Sequence, residues 1–193
     1  MIRTILIFIL VLTVAWQNSL ADVTESWRKN TQLSPQYCKD RAKGGQSPEF
    51  SKWRNTFGDA YIHMHHYCAG IHAEQKAKNI LNKGEQDYWL GRVVHQMKYV
   101  SGSVNTGHVL YPELHTRWGW ALSEQGQVAE AMQHYQLAIK AKRNYTLAYA
   151  RLSELYLKGN QPDEARKILE SGLKASPKSR SLKRRLEKLE SSE

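Results

Sequence analysis

Imidazole and thiol groups crowd into one stretch of the chain, His63-Met64-His65-His66-Tyr67-Cys68, with His72 four residues further on. Both groups are transition-metal ligands, and a thiol beside an imidazole is also a nucleophile beside its base. On a helix, His65, Cys68 and His72 fall on one face. At about 1.5 Å per residue the outer two stand about 10 Å apart along the axis, too far for one ion to hold all three. A metal would therefore need His65 or His72 with ligands from elsewhere. The alternative is structural: His63 and His66 share the opposite face with Gly70, where imidazoles wedge between crossing helices. A Cys68–His72 dyad has helical spacing, but nothing supplies an oxyanion hole. The chain has no Gly-x-Ser-x-Gly elbow, phosphate loop, Gly-x-Gly-x-x-Gly, His-Glu-x-x-His or Cys-x-x-Cys-His. No enzymatic activity and no cofactor are expected.

The fate of Cys68 depends on the compartment. Arg3 precedes an apolar stretch from Ile5 to Trp16, followed by Gln17-Asn18 and Ser19-Leu20-Ala21. A basic start, a short apolar core and a small-x-small cut site describe an export signal, residues 1–21. Twelve helical residues rise about 18 Å against a hydrocarbon core of about 30 Å, which favours cleavage over a spanning anchor. An uncleaved N-terminal anchor is the alternative. The expected location is periplasmic or secreted, with no transmembrane span after cleavage. There, the two cysteines, Cys38 and Cys68, are expected to pair. Two separately buried thiols, or a thiolate metal ligand, are the competing readings.

The elements that must position these groups are helices. The 193 residues carry 41% hydrophobic and 24% charged side chains, a globular composition. The formal charge of +10 favours an anionic contact without naming it. No segment alternates in the two-residue period of a strand for long enough to count, so the fold is expected to be all-α. Ser34-Pro35 and Ser47-Pro48 each place a capping hydroxyl before proline, predicting two short helices within an extension over 22–58. A longer helix is expected from Asp59 to Asn82, broken at Gly84, with another from Gln86 to Val100.

From Pro112 the chain repeats. A shift of 34 residues lays 112–145 on 146–179 without a gap, matching Arg117 with Arg151, Gln127 with Gln161, Glu130 with Glu164, Ala131 with Ala165, Lys140 with Lys174 and Ala141 with Ala175. Packing positions agree in kind: Trp118 with Leu152, Leu122 with Tyr156, Tyr135 with Leu169, Ala138 with Gly172. Each unit divides at a turn, Gln125-Gly126-Gln127 and Gly159-Asn160-Gln161, which makes it a helix hairpin.

This pattern resembles the tetratricopeptide repeat, a 34-residue helix hairpin. Trp118-Gly119, Leu122, Ala131, Tyr135 and Ala138 carry the resemblance in the first unit; Leu152-Ser153, Tyr156, Ala165, Leu169, Gly172 and Pro177 carry it in the second. Small residues stand where helices cross closely, and large ones fill the wedge between hairpins. His115 stands where the family prefers a bulky apolar residue, and Arg143 replaces its closing proline. Upstream, 59–111 is expected to be a helical hairpin, a degenerate repeat in which His66, Ala69, Gly70 and Ala73 supply the first helix and Val93, Met97 and Val100 the second. Residues 180–193 are expected to form a capping helix, with Leu182, Leu186 and Leu189 on one face.

The resemblance implies a helix-hairpin solenoid whose first helices line a concave groove. That places Glu113, Thr116, Trp120 and Ser123 from one unit, and Leu147, Ala150, Glu154 and Leu157 from the next, in a peptide-binding groove. Trp120 lies on a different helical face from Trp118, so it either anchors a bound segment or is covered by the preceding hairpin. The implied function is a non-catalytic interaction scaffold or adaptor of the periplasm or cell envelope, with a protein or peptide partner. An anionic envelope component is a further candidate through the basic surface, and no specific nucleic acid is expected. The alternative function is metal binding through His65 or His72.

Overall fold

The computed structural model describes residues 27–29, 31–44 and 48–191. The expected export signal, most of the stretch that follows it, and Ser47 lie outside the described residues. Among the described residues there are nine α-helices of seven or more residues, one 3-10 helix and no strand.

Two short helices come first. Helix α1, Gln36–Ala42, starts after Pro35, whose extended ψ of 155° makes it the N-cap. The Ser34 hydroxyl is buried without a partner instead of capping that end. Gly44, at φ +94°, turns the chain away with a backbone that other residues rarely adopt. Helix α2 is Glu49–Phe57. The buried Asp40 carboxylate joins the two by accepting from Trp53 Nε1 and Gln36 Nε2, both at 2.9 Å.

The expected long helix from Asp59 is broken in two. Gly58–His63 is 3-10, and the α-helix proper, α3, is Met64–Asn79. Helix α4, Lys83–Ser101, begins one turn earlier than expected because Asn82 Oδ1 accepts from Glu85 N at 3.0 Å. Gly84 sits in the first turn, where its low helix propensity matters little beside a good cap. Helices α3 and α4 pack as an antiparallel hairpin over 59–111.

Two more hairpins follow, α5 (Tyr111–Glu124) with α6 (Val128–Ala141), and α7 (Thr146–Lys158) with α8 (Pro162–Ala175). Their turns match 34 residues apart: Gly126 has φ +79° and Asn160 has φ 54°. Helix α9, Arg180–Glu190, starts on the Ser179 hydroxyl, which accepts from Leu182 N, and lays Leu182 and Leu189 on α7 and α8. Its Lys183, Arg184 and Lys188 face solvent, as a solenoid cap requires.

Close crossings explain the small residues. A Cβ on Gly119 of α5 would stand 3.0 Å from the Ala131 carbonyl and 2.9 Å from the Tyr135 ring on α6. One on Gly172 of α8 would stand 2.7 Å from Leu182 and 2.8 Å from Tyr149. Gly70 of α3 plays the same part against Gln96 and Met97 of α4. The 59–111 hairpin is therefore built on the same kind of crossing.

Candidate functional site: the concave face

Helices α3, α5 and α7 supply the floor of a cavity of about 520 Å³. Its rim comes from the N-terminal segment, because Leu33, Ser34 and Pro35 overhang the same space. That segment is tied down three ways. Trp27 is fully buried, Gln75 Nε2 of α3 donates to the Leu33 carbonyl at 2.9 Å, and Cys38 of α1 is disulfide-bonded to Cys68 of α3 with a Cα–Cα distance of 5.6 Å. The Tyr37 ring packs near Tyr67 of α3, and its hydroxyl donates to Glu113 Oε1 of α5 at 3.4 Å. Helix α1 thus bridges the first helices of two hairpins.

Three of the eight expected groove residues line this cavity: Thr116, Trp120 and Leu147. Trp120 is 8% exposed, packed into the core shared with the preceding hairpin, with Lys78 Nζ 4.7 Å from its ring centroid. It is part of the floor. The Thr116 hydroxyl is spent on the Pro112 carbonyl at 2.8 Å. Leu147 is 44% exposed and is the apolar group a guest would meet. Glu154 and Leu157 line a separate hollow of about 270 Å³ under α9, while Ala150 is buried and Ser123 is half-buried beside neither space.

Sequence reasoning missed the cations. Arg117 Nε and Nη2 donate to Glu113 Oε1 at 2.9 and 2.7 Å, and its Nη1 pairs with Glu74, which also takes Lys78. Burial pushes the Glu74 carboxyl up, and Arg117 and Lys78 overcome that, holding it below its ordinary value. Arg151 donates to Glu154 Oε2 at 2.9 Å, and Arg185 reaches Glu154 Oε1 at 2.6 Å. Arg117, Arg151 and Arg185 recur every 34 residues. The Arg117/Arg151 identity was visible, but Glu74 reaches Arg117 from α3 and Glu154 reaches Arg185 from α7, and the same-helix partners Glu113 and Glu154 do not share that register.

The histidine-rich helix brings no ligands together. Among the described residues, no three of His, Cys, Asp and Glu converge to hold a metal ion. Cys68 is in the disulfide, His65 Nδ1 lies 3.0 Å from the Ile62 carbonyl, and His72 is buried edge-on to Trp89 with neither ring nitrogen hydrogen-bonded. Burial lowers the basicity of both rings, to about 4 for His65. A different histidine pair forms between α5 and α6. His115 Nδ1 and His134 Nδ1 are 2.7 Å apart, and Trp118 stacks on His134 at 4.2 Å. Burial brings each of these imidazoles down to about 4.

The comparisons with known proteins agree with this architecture. No curated protein matches the chain. A thermophilic tetratricopeptide repeat protein of Thermus thermophilus superimposes with a TM-score of 0.60 at 20% identity, covering 93% of this chain and 94% of its own. The first such domain of Spaghetti (RPAP3), bound to an HSP90 peptide, is similar with a TM-score of 0.47 at 20% identity over 64% of this chain and 94% of its own. The NMR structure of the first domain of human RPAP3 gives 0.47 at 20% identity over 63% and 90%. No helix among the described residues is long and apolar enough to cross a membrane. The tetratricopeptide repeat family model matches residues 122–188, spanning parts of both hairpins and the terminal helix, and this stretch of the chain is built of tetratricopeptide repeats.

Proposed function

We propose that the protein is an exported, non-catalytic adaptor that holds an extended segment of another protein on its concave face. The observation that carries this reading is the cavity between the Leu33–Pro35 rim and helices α3, α5 and α7, with exposed Leu147 beside Lys78, Arg117 and Arg151. Repeat solenoids use such surfaces to bind other chains. An apolar group among charges that already have partners favours a guest that inserts one apolar side chain and satisfies its backbone on the rim. The export reading rests on the sequence of residues 1–21 and on a buried cysteine pair suited to an oxidising compartment. Placing a photo-crosslinking residue at Leu147 and sequencing the captured peptide tests the site. One recurrent partner sequence, lost with Leu147→Asp in native co-purification, is expected. Crosslinks no more selective than those from Glu170 on the outer face would end the proposal.

A further inference from the structure

The concave groove keeps its cations neutralised, yet the chain has a formal charge of +10. Part of that excess surrounds a second, larger hollow on the outer side. This space, about 850 Å³, lies against α6 and α8, and three cations line it: Lys140, Arg143 and Lys174. No carboxylate lines it, and among the described residues no ion pair includes any of the three. Lys140 and Lys174 stand in the last turns of α6 and α8, where helix carbonyls favour a cation, so each has a local reason for its charge. Arg143 lies beyond the end of α6 and has no such reason. Its carbonyl accepts from the Tyr149 hydroxyl at 3.0 Å, which fixes the backbone that carries it. Between the charges, Ile139, Tyr149 and Ile168 provide an apolar bed.

We infer that this outer hollow docks an acidic amphipathic segment of a partner protein, with apolar side chains on Ile139 and Ile168 and carboxylates toward Lys140, Arg143 and Lys174. Charge complementarity selects that occupant, since three unpartnered like charges around one apolar bed are relieved together only by a ligand that carries several anions and apolar side chains. Lys140 and Lys174 occupy equivalent positions one repeat apart, so a segment crossing both hairpins meets them in turn. The site is separate from the concave cavity.

The probe is a fluorescein-labelled amphipathic peptide with leucines on one face and glutamates on the other, with a glutamine-for-glutamate version as its control. Fluorescence anisotropy on the full chain is expected to show binding of the glutamate peptide that weakens steeply with salt, and none of the glutamine peptide. Lys140→Glu with Lys174→Glu should weaken it about tenfold, while Lys183→Glu with Arg184→Glu, the same charge change on α9, should leave it within about twofold. Unfolding curves of both variants check that each is folded. Equal weakening by the two pairs would reduce the effect to general basicity and overturn the inference. Absence of peptide binding, with binding instead to phosphatidylglycerol vesicles, would overturn it in favour of a lipid surface. Leu147→Asp should not affect this binding, which keeps its failure distinguishable from that of the concave site.

Discussion

His115 and His134 face each other across the α5–α6 hairpin with their Nδ1 atoms 2.7 Å apart, and at that separation one ring donates and the other accepts. The bond requires at least one neutral ring, and burial holds both neutral down to about pH 4. Unfolded histidines take up protons near pH 6.5, so the unfolded state binds more protons as the pH falls. Stability is therefore expected to be fully present above pH 6.5 and to be lost progressively between about 6.5 and 4. His65, His66 and His72 are shifted in the same direction and add to the trend. Urea midpoints across this window check it, and His115→Leu with His134→Leu should flatten the slope. An unchanged slope would exclude the pair as a source.

Gly119 and Gly70 make the same kind of crossing but should not tolerate alanine equally. The Gly119 Cβ would meet a backbone carbonyl at 3.0 Å, whereas at Gly70 the nearest atom is the terminal methyl of Met97, at 2.3 Å, on a flexible side chain. Gly119→Ala is expected to cost about 1–3 kcal/mol and Gly70→Ala less. Chemical denaturation of both variants reads the order directly, and the reverse order would show that Met97 is the more rigid neighbour.

Removing the bridge with Cys38→Ser and Cys68→Ala should cost about 3–4 kcal/mol on chain-entropy grounds for a separation of 30 residues. The same change frees α1 from α3 and should raise amide exchange in α1 before it does so in α5–α8. Uniform exchange along the chain would mean that Trp27 and Asp40 hold the segment without the bond.

Arg117→Met leaves Glu74 with Lys78 as its only cation and Glu113 with none. An expected loss of about 2–4 kcal/mol follows from stranding a buried carboxylate. Glu74→Gln combined with Arg117→Met should recover much of that loss. A double-mutant cycle on melting curves decides it, and simple additivity would show that the two groups do not interact.

Elements with a local signature were legible in the sequence. The 34-residue offset located α5 to α8, and the residues in their turns do adopt left-handed backbone. Most of what went astray depended on distant parts of the chain; the start of α4 did not, since its cap stands two residues before Gly84. Gly84 read as a breaker because Asn82's role as a cap was not seen. Trp120, left open between anchor and floor, is covered from α3, and Lys78 approaches its ring. His115, an odd residue in the repeat pattern, makes sense only beside His134, which lies on the other helix. The Cys38–Cys68 pairing was legible, but not the rim formed by Leu33–Pro35, because the pairing alone does not say which helices that segment overhangs.

The molecule is sewn shut at one end and merely lidded at the other. The amino-terminal hairpin carries a covalent stitch and a buried indole, while α9 rests on two leucines and a few surface charges. Since each hairpin leans chiefly on its neighbours, thermal fraying should start at the carboxyl end and run inward, leaving the stitched end as the last to come apart.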